Sequence, residues 1–343
     1  MNNDWFAGFT DGEGCFGLRR GSLHYWKISF RLHLRADDAA IIQALSSPSV
    51  FGGYSHVANP SNYDGVNRKP SVEWQVTSRA DIQRLISYFD THPLRTKKAR
   101  DYRTWREAAL IYFSNSAGSS GRNSQWLDKK MACYKQQVLQ VRQYDPVPEL
   151  PAFLPHLPLN GFWNNHWLSG FVDGEGSFGI ERDTGEGRRA WSFSLAIVLR
   201  QDDVNILDTL AKAIGGQYYR VIRQNGRPQV SWRVKKQSEI KRLITYFDNY
   251  PLYAKKWRDY VLWRDAALLY FQYSPGAGGR ISPWLDKQMM NYREKLKKIR
   301  CYDPTGCLSL PSAVDLHIVQ EPLSLESSAP LSDVRAEAVH STG

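Results

Sequence analysis

Residues 5–16, WFAGFTDGEGCF, return as WLSGFVDGEGSF at residues 167–178, with eight of the twelve positions identical. The echo runs on: LRADD at 34–38 against LRQDD at 199–203, FGG at 51–53 against IGG at 214–216, and YFDTHPLRTKKARDYRTW at 88–105 against YFDNYPLYAKKWRDYVLW at 246–263. WLDK at 126–129 closes the series against WLDK at 284–287. The offset between copies is 162 at the first segment, 165 at the second and 158 at the last, so insertions fall between elements. A chain built this way folds the same unit twice. Two copies are too few for a solenoid and point to a pseudo-twofold molecule.

The duplication divides the chain into a first repeat at 1–145, a connection at 146–160, a second repeat at 161–307 and a tail at 308–343. PVPELPAFLPHLPLN, the connection, holds five prolines, which lock φ and predict a stiff, extended linker. Ser, Pro and acidic residues without periodicity make the tail a candidate for disorder. At 343 residues and 42% hydrophobic content, the chain can bury two ordinary cores. No apolar run reaches the roughly 18 residues of a membrane helix, and the N-terminus has no signal or transit pattern. The expectation is a non-secreted protein with no membrane partner, acting in the compartment of its encoding genome, an organelle or a bacterial cytoplasm. Cys15, Cys133, Cys301 and Cys307 lack zinc spacing and read as free thiols. The net charge is +11, and residues 311–343 carry −4 of it, which leaves +15 on residues 1–310. Such an excess suits a polyphosphate partner.

Hydrophobic periodicity gives each repeat the order helix, two strands, helix, two strands, helix, helix. In KISFRLHLR, Ile28, Phe30, Leu32 and Leu34 alternate with Lys27, Ser29, Arg31, His33 and Arg35, which is an antiparallel strand with one dry and one basic face. Val72, Trp74 and Val76 alternate likewise with Glu73, Gln75 and Thr77, and Ile82, Leu85, Ile86 and Phe89 recur at helical spacing. Asp37 or Asp38 is placed to cap the helix through Ile41, Ile42 and Leu45. The second repeat repeats the pattern with Phe193, Leu195, Ile197 and Leu199, with Val230, Trp232 and Val234, and with Ile240, Leu243, Ile244 and Phe247. The fold class is α+β: two αββαββα repeats, each an antiparallel sheet backed by helices.

Small residues at Ala7, Gly8, Ser169 and Gly170 allow the two opening helices to approach closely. A helix pair used only for packing accounts for these residues but not for the acids that follow. Asp11, Glu13, Asp173 and Glu175 stand at helix C-termini, the negative ends of the macrodipoles, and a pseudo-twofold brings like charges together. A cation between them resolves the conflict. Hard divalent ions such as Mg²⁺ take oxygen ligands and need few carboxylates. Carboxylates, metal ions and a basic surface are the apparatus of phosphodiester hydrolysis.

DGEG after a Gly-Phe-x step, twice in one basic chain, resembles the LAGLIDADG homing endonucleases in their single-chain, two-repeat form. The resemblance covers about residues 4–303. It implies that the motif helices pack at the repeat interface and that Glu13 and Glu175 bind catalytic metals, with the carbonyls of Gly12 and Gly174 as further ligands. Asp11 and Asp173 would orient the turn. It also implies a lysine near each scissile phosphate: Lys98 in PLRTKK and Lys256 in PLYAKK, with Lys97 and Lys255 as neighbouring candidates and a basic helix terminus without a chemical role as the alternative. Where many relatives place a glutamine at the end of the first strand pair, this chain has Leu34-Arg35 and Leu199-Arg200.

A β-ribbon fits the DNA major groove and discriminates base edges. The candidate contacts are Arg19, Lys27, Arg31, His33, Arg35 and Gln75 in the first repeat. In the second they are Ser192, Ser194, Arg200, Arg223, Gln229, Arg233 and Lys235. A solvated strand face is the plain alternative for each. Arg31 and His33 correspond to Ala196 and Val198, so the DNA target is expected to be asymmetric. The expected activity is that of a monomeric, Mg²⁺-dependent, site-specific double-strand DNA endonuclease of intron homing. Two rivals use the same scaffold: a maturase whose partner is the host intron RNA, and a DNA-binding regulator that does not cut.

Overall fold

Each DGEG motif ends a helix and starts a strand. In the computed structural model, which describes residues 3–22, 25–58, 69–117, 123–143, 166–183, 190–221, 228–275 and 280–301, the motif helices are α1 (Asn3–Glu13) and α6 (Trp167–Glu175). The Pro-rich linker, Arg223, Cys307 and the tail from 308 lie outside the described residues. The N–H of Gly14 donates to Thr10 O at 2.8 Å, and a Cβ there would meet Thr10 Cγ2 at 2.5 Å. Only glycine lets the chain leave α1 so tightly, and strand β1 (Cys15–Arg20) begins at the next residue.

The first repeat continues through β2 (Trp26–Arg35), a 3₁₀ turn at Ala36–Asp38, α2 (Ala39–Leu45), β3 (Tyr54–Ala58), β4 (Ser71–Val76), α3 (Arg79–Thr91), α4 (Lys98–Asn115) and α5 (Gln125–Val141). The second runs through β5 (Gly176–Asp183), β6 (Ala190–Arg200), a 3₁₀ turn at Gln201–Asp203, α7 (Val204–Ile214), β7 (Gln217–Val221), β8 (Gln229–Val234), α8 (Gln237–Asn249), α9 (Lys256–Tyr273) and α10 (Pro283–Ile299). The sheets have matching orders, β1-β2-β4-β3 and β5-β6-β8-β7, and every pairing is antiparallel. The αββαββα core is as the periodicity predicts. Each repeat then adds one helix more than the sequence reading: three helices, not two, follow the last strand.

Alternation sorts the strand residues as expected. Phe30, Leu32, Trp74 and Val76 are buried against Ile82, Leu85 and Phe89 of α3, and Leu195, Ile197, Trp232 and Val234 against Ile240, Leu243 and Phe247 of α8. Trp105 and Trp263 seal the cores from α4 and α9. Trp126 and Trp284, at the starts of α5 and α10, are half exposed and depart from the core pattern. Gln75 faces outward but is buried, because Lys27 Nζ and the Tyr54 hydroxyl both donate to its Oε1.

α1 and α6 join the repeats into one compact unit. A Cβ on Gly8 would lie 1.9 Å from Trp167 O, and one on Gly170 would lie 1.9 Å from Trp5 O. Further along, a Cβ on Gly12 would come within 2.9 Å of Gly174 Cα. Glycine at these positions lets two backbones touch along the pseudo-twofold.

Candidate active site

Four carboxylates reach the crossing of α1 and α6, and the structure separates them into two kinds. Asp11 and Asp173 are buried, and each is met by donors of its own repeat and of the opposite motif helix. Asp11 accepts from Arg95 N at 2.8 Å, Thr96 N at 3.0 Å, the Thr96 hydroxyl at 2.6 Å and Trp167 Nε1 at 2.9 Å. Asp173 accepts from Tyr253 N at 2.7 Å, Ala254 N at 3.2 Å and Trp5 Nε1 at 2.8 Å. Each acid therefore ties down the turn that leads into α4 or α9, and the tryptophan of the opposite motif helix completes the set. Those helix N-termini offer unpaired N–H groups and a positive dipole end. This corrects the sequence argument that all four acids demand a cation, because half of them are met by backbone amides. Burial raises both carboxyl pKa values and the hydrogen bonds oppose it; for Asp173 the value is pushed up to about 7. Thr96 is Ala254 in the second repeat, and Asp173 Oδ1 has no hydrogen-bond partner.

Glu13 and Glu175 stay at the crossing. Glu13 keeps solvent contact and Glu175 is half buried. Each lies against the glycine before the other: a Cβ on Gly12 would lie 3.5 Å from Glu175 Cγ, and one on Gly174 would lie 3.7 Å from Glu13 Cγ. Surrounding protein atoms desolvate both and raise their pKa values, which Lys98 and Lys256 pull back down; Glu13 further raises that of Glu175. Lys98 Nζ donates to Gly12 O at 2.5 Å and Thr10 O at 3.2 Å, while Lys256 Nζ donates to Gly174 O at 2.6 Å and Val172 O at 3.2 Å. Both ammonium groups sit on the carbonyl ends of the motif helices, beside the glutamates. Burial lowers their pKa values, and the acids around them oppose the shift.

The first lysine of each pair goes elsewhere. Lys97 N donates to Asp203 Oδ1 at 2.8 Å and Lys97 Nζ to Asp202 Oδ1 at 3.3 Å; Lys255 N and Nζ donate to the two oxygens of Asp38, both at 2.8 Å. All these partners belong to the opposite repeat. The expectation that Asp37 or Asp38 caps α2 is thereby corrected: Asp38 stands at the N-cap position but makes no side-chain cap bond. The 3₁₀ turn at 36–38 aims its carboxylate across the interface instead. Arg35 and Arg200 are also engaged within the protein. Arg35 binds Asp37 through two nitrogens and reaches Arg300 O at 2.9 Å, and Arg200 binds Asp202 and reaches Arg142 O at 2.9 Å. Sequence reasoning missed this cross-repeat lattice. Its signal, the repeated R-x-D-D after each strand, was in view but gave no partner.

The remaining candidates for nucleic-acid contact share the outward faces of the two sheets. Cross-strand register aligns Arg19 with Lys27, Arg31 with Gln75 and His33 with Glu73. His33 shares a 3.1 Å hydrogen bond with Ser71. In the second repeat Ala196 lies opposite Arg233, Val198 opposite Ser231 and Arg200 opposite Gln229. Ser192 pairs with Glu181, an exposed acid 3.8 Å from Arg233 and 3.6 Å from Lys235. Ser194 is buried under Gly179. Beside Lys256, a cavity of about 230 Å³ is lined by Arg35, Ser177, Lys255, Arg258 and Arg300.

Glu13, Glu175 and the carbonyls of Gly12 and Gly174 supply oxygen donors alone, at the negative ends of two helices, which fits a hard divalent cation. Each carbonyl keeps a second lone pair beside its lysine. Among the described residues no group of three or more His, Cys, Asp or Glu side chains could hold a metal by itself. A cation held here would find in these four groups only part of its coordination shell.

Comparison with known proteins matches residues 6–109 and 168–267 to the LAGLIDADG endonuclease family, one match on each repeat. The chain belongs to this family. Among curated relatives, "Probable intron-encoded endonuclease 3" of Neurospora crassa is 23% identical over 272 residues, covering 76% of this chain and 49% of that protein. A probable intron-encoded endonuclease of Schizosaccharomyces pombe is 26% identical over 178 residues, covering 51% of this chain and 40% of that protein. The chain thus spans half or less of the length of these relatives. Among solved structures, I-SmaMI bound to an uncleaved DNA target with calcium ions superimposes with a TM-score of 0.66 at 20% identity, over 87% of this chain and 99% of that one. I-GzeII in complex with its DNA target gives a TM-score of 0.64 at 22% identity, over 88% and 100%. At these identities the likeness speaks for the LAGLIDADG fold. No helix among the described residues is long and apolar enough to cross a membrane.

Proposed function

We propose that this chain is a monomeric, site-specific double-strand DNA endonuclease of the intron-homing type, with Glu13 and Glu175 as the carboxylates that bind divalent cations, Mg²⁺ in the cell. One observation carries the reading: both repeats keep an acid and a half-buried lysine side by side at the helix crossing, so two hydrolytic stations share one small space. The DNA-bound relatives and the intron-encoded relatives supply the substrate class.

Each bound cation would polarise a phosphate oxygen and lower the pKa of a water. The protein's own groups then do the rest. Glu13 and Glu175, both held at the crossing by the close contact of Gly12 and Gly174, are the anionic anchors. Lys98 and Lys256 are poised to leave the carbonyls of Gly12 and Gly174 and stabilise charge that develops on a scissile phosphate. Asp11 and Asp173 hold the turns from which these lysines project. Outward residues of β1, β2, β4, β5, β6 and β8 read a half-site each, and Arg31 and His33 against Ala196 and Val198 make the two halves different.

The test uses the uninterrupted duplex that spans the insertion point of the host intron. Purified protein with Mg²⁺ is expected to cut both strands. Glu13→Gln or Glu175→Gln should lower cleavage by about three orders of magnitude or more while duplex affinity, read by fluorescence anisotropy in Ca²⁺, changes less than about threefold. Unchanged cutting by both variants would exclude the assignment.

A further inference from the structure

The two lysine-bearing helices are started by acids from opposite halves of the molecule. At α9 the amides of Tyr253 and Ala254 go to Asp173 of the same repeat, and the next amide, Lys255 N, goes to Asp38 of the first repeat at 2.8 Å. At α4 the amides of Arg95 and Thr96 go to Asp11, and Lys97 N goes to Asp203 of the second repeat at 2.8 Å. The lysine side chains reinforce the pattern, with Lys255 Nζ on Asp38 at 2.8 Å and Lys97 Nζ 3.5 Å from Asp203. Asp38 is buried, and Arg258 of α9 stands 3.8 Å from its neighbour Asp37. Residues 38 and 203 lie three positions beyond the ends of β2 and β6, the central strands whose outward side chains face DNA in the proposed function.

We infer that Asp38 and Asp203 are crossed positioning residues. Each fixes the lysine of the opposite repeat, so that Lys256 depends on the seating of the first repeat and Lys98 on the seating of the second. A side chain that caps the first turn sets where the following residue projects, and loss of such a cap is a local event. The lysine after it is the one on the motif-helix carbonyls. β2, the turn at 36–38 and Lys255 form a continuous, hydrogen-bonded path from one half-site to the other half's reaction centre. A strand is therefore cut at full rate only when the half-site bound by the opposite repeat is engaged, which disfavours cutting at half a target.

The inference rests on the nuclease reading above, and the experiment separates the two. On the duplex cut by the wild type, with each strand labelled in turn, single-turnover rates are measured for both strands. Lys98→Met and Lys256→Met identify which strand each lysine serves. Asp38→Ala is expected to slow the Lys256-dependent strand by about tenfold and the other strand by less than about twofold, and Asp203→Ala to do the reverse. Asp38→Asn keeps an oxygen for the Lys255 N–H but loses the ion pair; it is expected to show the same bias at about threefold, and it replaces the alanine variant if that does not fold. Equal slowing of both strands, or a bias toward the Lys98-dependent strand, overturns the inference while leaving the nuclease assignment in place. Absence of any cutting by the wild type removes the assignment itself and the inference with it.

Discussion

A side-chain donor present in one repeat and missing in the other, Thr96 against Ala254, separates the two acid sites. In the first repeat the Thr96 hydroxyl gives Asp11 a fourth donor; in the second, Asp173 Oδ1 is buried without one. A buried carboxylate short of donors favours its protonated form. Burial pushes the folded Asp173 pKa up to about 7, while the unfolded chain releases the proton near 3.8. Between these values the folded state binds more protons, so this group's contribution to stability falls as pH rises. In metal-free buffer the melting temperature of the wild type, measured relative to Asp173→Asn, is expected to decline from pH 4.5 to 7.5. Asparagine cannot ionise, and its amide nitrogen would occupy the place of the unpartnered oxygen. Ala254→Thr restores the missing hydroxyl and is expected to flatten the decline. A wild-type curve parallel to that of the asparagine variant would show that Asp173 is ionised throughout.

At the scale of elements, the crossing of α1 and α6 carries the most constrained contacts. Gly8→Ala places a methyl 1.9 Å from Trp167 O, backbone that no rotamer change can move away. Overpacking of a core methylene costs about 1–3 kcal/mol, and prying two helices apart lies at or above the top of that range. Calorimetry is expected to show a melting temperature lower by at least about 10 °C, or no cooperative transition, with Gly170→Ala behaving alike. Gly21→Ala, whose Cβ would approach Tyr25 no closer than 3.3 Å, at the edge of its ring, is the contrasting surface change. These helices, the alternating strands and the apolar faces of α3 and α8 were legible in the sequence because each rests on local periodicity. The glutamates and the second lysines were singled out through the family motif, and the crossing brings them together. What escaped depends on tertiary contact. Leu127, Met131, Tyr134 and Val138 give α5 a buried stripe, but only WLDK marked that segment beforehand. The partners of Asp11 lie 84, 85 and 156 residues away, Lys255 lies 217 residues from Asp38, and no spacing rule connects them. Arg35 and Arg200 read as DNA contacts because a strand pattern assigns a face and cannot reveal that Asp37, Asp202 and a neighbouring helix end have already claimed the guanidinium.

For the whole molecule, the proposed function makes the difference between the two outward faces the feature that would govern how DNA is held. The first repeat presents Arg19, Lys27, Arg31 and His33 along β1 and β2, whereas the aligned positions of the second hold Ser192, a buried Ala196 and an exposed Val198, with Glu181 drawing on Arg233 and Lys235. Cations displace condensed counterions and so make affinity depend on salt, while hydroxyl and apolar groups bear on base edges and thymine methyls. On the proposed reading, the first half-site would be held more by charge and the second more by shape. Arg19→Ala, an exposed position, is expected to reduce the slope of log affinity against log salt by about 0.9 if it contacts one phosphate. Ser192→Ala should leave that slope unchanged and alter only sequence preference. Two symmetrised duplexes extend the test, one carrying the first half-site twice and the other the second. The first forces its basic-face sequence onto Ala196 and Val198, and the second offers Arg31 and His33 the wrong base edges, so both are expected to bind more weakly than the natural duplex by about tenfold or more at physiological salt. The steeper salt dependence should stay with the first repeat's contacts in all three. Equal affinity for the natural and both symmetrised duplexes would mean that the outward strand residues do not read sequence, and the asymmetry of the two repeats would then need another cause.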